Sequence, residues 1–142
     1  LQKLLTQTAN KFGAAILIDC HSMPRLARSK KHKAPDIVLG DRFGATCSPL
    51  LIDMVDNMLT EAGLTVARNH PYAGGFITRS YGKPKFGIHA LQIEISRHLY
   101  MNETSRMTHS GFIAIKQTMQ QMTAMLVELD ISLLEEHKYA AE

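Results

Sequence analysis

The stretch Ala14-Ala15-Ile16-Leu17-Ile18-Asp19-Cys20-His21-Ser22 runs from five consecutive apolar side chains straight into four polar or reactive ones. A short unbroken apolar run is the pattern of a strand covered on both faces, as in the sheet of an α/β protein. Its polar residues then gather at the carboxyl end, the edge of an open α/β sheet where ligands usually bind. One segment therefore predicts both a layered architecture and the place to look for chemistry.

Working outward, Leu1, Leu4, Leu5, Thr8 and Phe12 recur at helical spacing before Gly13, which predicts an opening amphipathic helix with a glycine stop. From Met23 to Pro35 the chain is basic and without apolar periodicity, carrying Arg25, Arg28, Lys30, Lys31 and Lys33, and reads as a mobile surface loop. Asp36–Gly40 is a second short strand. Ser48 and Pro49 mark a helix start, the serine as cap and the proline where its missing N–H is harmless. Leu51, Ile52, Val55, Met58 and Leu59 supply that helix's buried stripe, and Gly63 ends it. Leu64–Ala67 reads as a strand, Asn69–Gly75 as turn chemistry and Phe76–Thr78 as extended. Ile88–Ser96 alternates Leu91, Ile93 and Ile95 with Gln92, Glu94 and Ser96, a strand pattern. A last helix is expected over Thr108–Leu129. This order, with neither repeat nor linker, predicts a single layered α/β domain over residues 1–142, its mixed sheet covered by helices.

Composition narrows the function classes. In 142 residues, 45% hydrophobic and 20% charged, there is room for one core and no run long enough to span a membrane. Sixteen basic against thirteen acidic side chains leave +3, a mild preference for anionic partners. Tyr and Phe are not interleaved with the basic loop as base-stacking platforms would be, so no nucleic acid is expected. Two cysteines and eight methionines suit a reducing compartment, the cytoplasm by default. Leu1–Lys11 resembles the middle of a helix more than a leader or a flexible start, which predicts a piece of a longer chain.

Two side chains stand out. His21, where the apolar strand meets the polar loop, can bind a transition metal through one nitrogen while Asp19 or a backbone carbonyl holds the other. The plainer alternative is a histidine that only hydrogen-bonds at a strand end. Glu94, flanked by Ile93 and Ile95, is a carboxylate in a strand, where burial is unfavourable without a task; it can act as a general base taking a proton from water. The pattern fits equally a solvated face of an edge strand. Other arrangements fail: none of the seven histidines begins H-x-x-E, H-x-H or H-E-x-x-H. Cys20 and His21, adjacent in a strand, point to opposite faces and do not make a nucleophile and base. Arg79, Lys83 and Lys85 are close enough in sequence to converge on an anion, with Asn69 and Tyr72 as polar neighbours. Arg79 is best suited to grip a carboxylate. Taken singly, each also fits a solvated surface charge.

Four words, Leu17-Ile-Asp-Cys-His-Ser-Met-Pro, Asp36-Ile-Val-Leu-Gly-Asp-Arg-Phe-Gly, Asn69-His-Pro-Tyr-Ala-Gly-Gly-Phe and Leu91-Gln-Ile-Glu-Ile-Ser-Arg-His-Leu-Tyr-Met-Asn-Glu, together resemble, in order, the N-formylglutamate amidohydrolase family. The resemblance implies a zinc-carboxypeptidase-like α/β fold and hydrolysis of an N-acyl amino acid. The typical substrate is N-formyl-L-glutamate, cleaved to formate and glutamate in histidine degradation. It further implies that His21 is a zinc ligand and that Glu94 is the base that activates the water. Arg79, Asn69 and Tyr72 would face the substrate.

In this wider fold the remaining ligands come from an upstream half, so the chain is similar to the family's C-terminal part and further zinc ligands are expected before residue 1. The leading expectation is a metal-dependent amide hydrolase for a small-molecule substrate, with no membrane partner. Two alternatives stand: a truncated, non-catalytic anion-binding module, and a related deacylase acting on another N-acyl amino acid. A piece lacking half of a layered sheet would expose apolar surface, which favours a homo-oligomer.

Overall fold

Residues 1–27 and 33–136 are described by the structure, a computed structural model. In chain order its elements are α1 (Gln2–Phe12), β1 (Ala15–Met23), β2 (Ile37–Gly40), α2 (Pro49–Glu61), β3 (Val66–Arg68), α3 (Phe76–Tyr81), β4 (Ile88–Ser96), α4 (Gly111–Val127) and α5 (Ser132–Glu136). The strands form one open sheet in the order β1-β4-β2-β3. β1 runs parallel to β4 and β2 parallel to β3, whereas β4 and β2 are antiparallel. The expected mixed sheet with covering helices is what the chain forms. Among the described residues no helix is long and apolar enough to cross a membrane.

The two faces of the sheet differ because strand side chains alternate. One face carries Ile37, Leu39, Leu91 and Ile93, packed on Leu51, Ile52, Val55 and Leu59 of α2, Ile115 and Met122 of α4 and Leu134 of α5. Each such side chain removed from water contributes roughly 1.5–3 kcal/mol, so this face is the main core. The other face has a small cluster, Leu5 of α1 with Ala15 and Ile88, joined by Ala9, Leu17 and Tyr81. Its apolar cover lies at the amino ends of β1 and β4, and toward their carboxyl ends the same face turns polar.

Several sequence expectations shift. β1 does not stop at Ile18 but continues through Asp19, Cys20, His21 and Ser22 to Met23, because register with β4 holds to Ser96. The polar residues are thus inside the ladder and not beyond it. Phe76–Thr78 is helical, not extended. Its β-forming residue types are overridden by context: Thr78 is fully buried against the rest of the fold, and within the first turn its hydroxyl donates to Gly75 O (3.1 Å). β4 is an interior strand, so the alternative of an edge strand with a wet face does not hold, and eight of its nine residues are buried. The third strand begins at Val66, and the last long helix is trimmed to Gly111–Val127. Ser48 is at the cap of α2 as expected, yet its hydroxyl makes no cap hydrogen bond. Its backbone N–H instead donates to His89 Nδ1 (3.1 Å). Of the basic loop, Arg28, Lys30 and Lys31 lie outside the described residues.

Candidate active site

His21 and Glu94 are Cα partners across the parallel β1–β4 ladder, as are Asp19 and Gln92. Directly paired residues of neighbouring strands share a face and stand about 5 Å apart at the backbone. Two stretches 73 positions apart in sequence therefore bring an imidazole and a carboxylate side by side on the polar face. Their surroundings differ. Glu94 is 7% exposed, whereas the His21 side chain is 47% exposed.

His21 Nε2 stands 3.0 Å from Asp19 Oδ1. Donation from Nε2–H fixes the neutral tautomer whose Nδ1 keeps a free lone pair, the arrangement by which carboxylates orient metal-binding histidines. The second carboxylate oxygen, Asp19 Oδ2, is enclosed and has no hydrogen-bond partner among the described residues. With Nε2 turned onto Asp19, the Nδ1 lone pair is the donor that His21 can offer a divalent cation, and Asp19 orients the ring. Among the described residues no three His, Cys, Asp or Glu side chains cluster to hold an ion, so one bound by His21 needs donors from beyond them.

Glu94 is positioned by a residue that the sequence reading passed over. Gln92, two places earlier on the same face and 5% exposed, donates from Nε2 to Glu94 Oε1 at 2.9 Å. Its Oε1 accepts from Gly75 N at 2.7 Å. One amide thus ties the carboxylate to the loop that precedes α3. The signal was present in sequence as the i, i+2 spacing of Gln92 and Glu94, which shares a strand face.

The 69–75 loop is laced to the turn after β2. Asn69 Oδ1 accepts from Asp41 N (3.1 Å) and Phe43 N (3.2 Å), and its Nδ2 donates to Asp41 Oδ1 (2.7 Å). These bonds hold Arg42 and Phe43 in left-handed backbone conformations, φ 54° and 59°. Arg42 N donates to Ala73 O (2.7 Å) and its Nη1 to Gly74 O (3.1 Å). Gly40 must be glycine: an added Cβ would lie 2.6 Å from Gly74 N and 2.8 Å from Ala73 C. The two sequence words around residues 41 and 72 therefore form one rim, crossing the sheet where Gly40 pairs with Gln92.

The structure separates the expected substrate contacts. Asn69 turns its amide onto the turn after β2, Tyr72 is half-buried in the rim, and Arg79 is exposed on α3. Lys83 and Lys85 lie past α3 toward the amino end of β4, lining a different cavity. Arg42, not singled out by sequence, is the guanidinium built into the rim. Cys20 sits on the opposite face from His21, and burial and the nearby Asp19 carboxylate push its thiol pKa up, which disfavours a reactive thiolate.

A second chain of polar groups closes β4. Ser96 Oγ is 2.7 Å from His98 Nδ1, and His98 Nε2 is 3.3 Å from Asp36 Oδ1. The residue types are those of a hydrolytic triad, but Ser96 is 0% exposed, so its hydroxyl meets no substrate. Asp36 Oδ2 also accepts from Thr65 N (2.9 Å), which makes the trio a brace between β4, β2 and the approach to β3.

The sequence profile of the N-formylglutamate amidohydrolase family matches residues 1–101. A protein called N-formylglutamate deformylase from Pseudomonas putida is 35% identical, over 87% of this chain and 49% of its own length. Another of that name, from Pseudomonas aeruginosa, is 32% identical over 78% and 42%. The crystal structure of N-formylglutamate amidohydrolase from Ralstonia eutropha JMP134 superposes with a TM-score of 0.84 at 37% identity, covering 90% of this chain and 48% of that one. A bacteriophage poly-gamma-glutamate hydrolase shares the fold alone, with a TM-score of 0.50 at 13% identity. The chain spans about half the length of the curated relatives it matches. With four ordered sequence words, one mixed sheet and a family profile in agreement, this chain belongs to the N-formylglutamate amidohydrolase family.

Proposed function

We propose that this chain provides one imidazole ligand and the general base of a metal-dependent amide hydrolase that converts N-formyl-L-glutamate to formate and L-glutamate. The observation that carries the reading is the pairing of His21 with Glu94 on one face of the β1–β4 ladder. Similarity to proteins named for this substrate supports its identity. His21 would hold zinc through Nδ1, oriented by Asp19, with the remaining ligands drawn from the length of the relatives that this chain does not span. A bound zinc supplies Lewis acidity, lowering the pKa of water and polarising the formyl carbonyl.

The chain's own residues do the rest. Glu94, held by Gln92, would take the proton from the attacking water and return it to the departing amine nitrogen, so that C–N cleavage releases a neutral amine and formic acid, whose proton passes to the amine or solvent to leave formate. The rim carrying Tyr72 and Arg42, with Arg79 beyond it, offers guanidinium groups to the substrate carboxylates. Cys20 and Cys47, both free, suit a reducing compartment such as the cytoplasm.

Formate release is to be measured with the complete open reading frame that contains these residues, supplied with zinc. Glu94→Gln should lower kcat by about 10²–10⁴ while leaving KM within a few fold, and His21→Ala should abolish stoichiometric zinc. Undiminished turnover in Glu94→Gln would overturn the mechanism. Preference for another N-acyl amino acid would preserve the mechanism and overturn the substrate.

A further inference from the structure

At the amino ends of β1 and β4, remote from His21 and Glu94, a cavity of about 560 Å³ opens between α1 and the segment leading into β4. This volume is within the range of small-molecule sites, roughly 300–1,000 Å³. Lys83 and Lys85 line it, together with Thr6, Asn10, Phe86 and His89. Five positions of strand separate His89 from Glu94, about 16 Å at ~3.3 Å per residue, so this is not an extension of the polar face.

His89 gives the cavity its chemical direction. The residue is 2% exposed, and burial holds its pKa below the ordinary value near 6.5. Its Nδ1 receives the Ser48 backbone N–H, a group that only donates. The neutral ring therefore carries its proton on Nε2, which makes Nε2–H the donor left for a ligand. A neutral donor at the back and two ammonium groups at the mouth suit an anion with several acceptor oxygens. Thr6 and Asn10 add uncharged polar groups to the wall. Phe86, 75% exposed, is the phenyl ring among the lining residues, where a flat ligand body can cover it.

We propose that this cavity is a second ligand site, for a small organic phosphate whose phosphoryl oxygens lie among Lys83, Lys85 and His89 Nε2–H and whose planar body rests on Phe86. Two lysines match the charge of a phosphate monoester better than that of a single carboxylate.

Phenyl phosphate, inorganic phosphate and benzoate serve as probes, titrated calorimetrically into the chain at low salt. Phenyl phosphate should bind saturably, at least about fivefold more tightly than inorganic phosphate or benzoate. Lys83→Ala/Lys85→Ala should weaken it by about tenfold or more, and Phe86→Ala should erase its advantage over inorganic phosphate. Both variants alter surface positions, and circular dichroism establishes that they fold. Glu94→Gln should bind unchanged, which separates this site from the hydrolytic one. The His89 ring resonances should shift on titration. No saturation by about 10 mM, equal binding by the double lysine variant, or benzoate binding as tightly as phenyl phosphate would overturn the proposal.

Discussion

Replacing Gln92 with methionine removes one amide and keeps nearly the same volume in a buried site. Two bonds disappear: the 2.9 Å donation to Glu94 Oε1 and the 2.7 Å acceptance from Gly75 N. The first serves an ionisable group, worth about 1.5–3 kcal/mol. The second strands a peptide N–H, at about 1–3 kcal/mol if fully dry. Gly75 is exposed, so water recovers much of that part. Volume-conserving apolar swaps add little of their own. The expected loss is about 2–4 kcal/mol, or roughly 5–15 °C in Tm for a chain of this size. Urea unfolding should show a lower midpoint at an unchanged slope. A double-mutant cycle with Glu94→Gln should return a coupling of about 1 kcal/mol, since the partner keeps an acceptor but loses its charge. A loss below about 1 kcal/mol, with additivity in the cycle, would show that Gln92 does not hold the carboxylate.

Ser48→Ala should be neutral or slightly stabilising, by up to about 1 kcal/mol, because Ser48 Oγ is buried without a partner among the described residues. A capping serine would instead lose about 1 kcal/mol on thermal unfolding. His89 binds fewer protons folded than unfolded, so its contribution is complete above pH ~6.5 and stability falls below it by at most ~1.4 kcal/mol per pH unit. His89→Gln should flatten that part of the stability profile; identical profiles for the two proteins would refute the buried neutral imidazole. Gly40→Ala drives a Cβ into the backbone at Ala73 and Gly74, where no rotamer gives relief, and should destabilise by about 1–3 kcal/mol or more. Unchanged Tm in that variant would mean the rim yields freely.

The layered fold was legible because apolar runs and helix punctuation report burial locally. Ala14–Ile18, Ser48-Pro49 and the Leu91/Ile93/Ile95 alternation each fell on the element they predicted. The failures share one cause, information carried by distant residues. Nothing within Phe76–Thr78 announces a helix, whose cap residue Gly75 is held by the Gln92 amide far downstream. Nothing near Glu94 reveals that its polar face is enclosed, since the cover comes from the 69–75 loop and α3. The site was half legible. His21 and Glu94 came from spacing and resemblance, whereas their adjacency needed a strand order that no local pattern encodes. Asn69 was visible as a polar neighbour, but the partners of its amide lie 26 and 28 positions away.

The sheet order leaves β1 at a margin, with β4 on one side and no described strand on the other. Peptide groups in a strand point alternately left and right, so about half of those in β1 face outward. Amide deuteration should consequently proceed along β1 in a sawtooth, while β4, hemmed in on both flanks, incorporates label slowly. The imidazole rides on a bordering strand and the carboxylate on an interior one. Whatever pairs with the outer flank of β1 will brace the alignment of the two groups without touching either one.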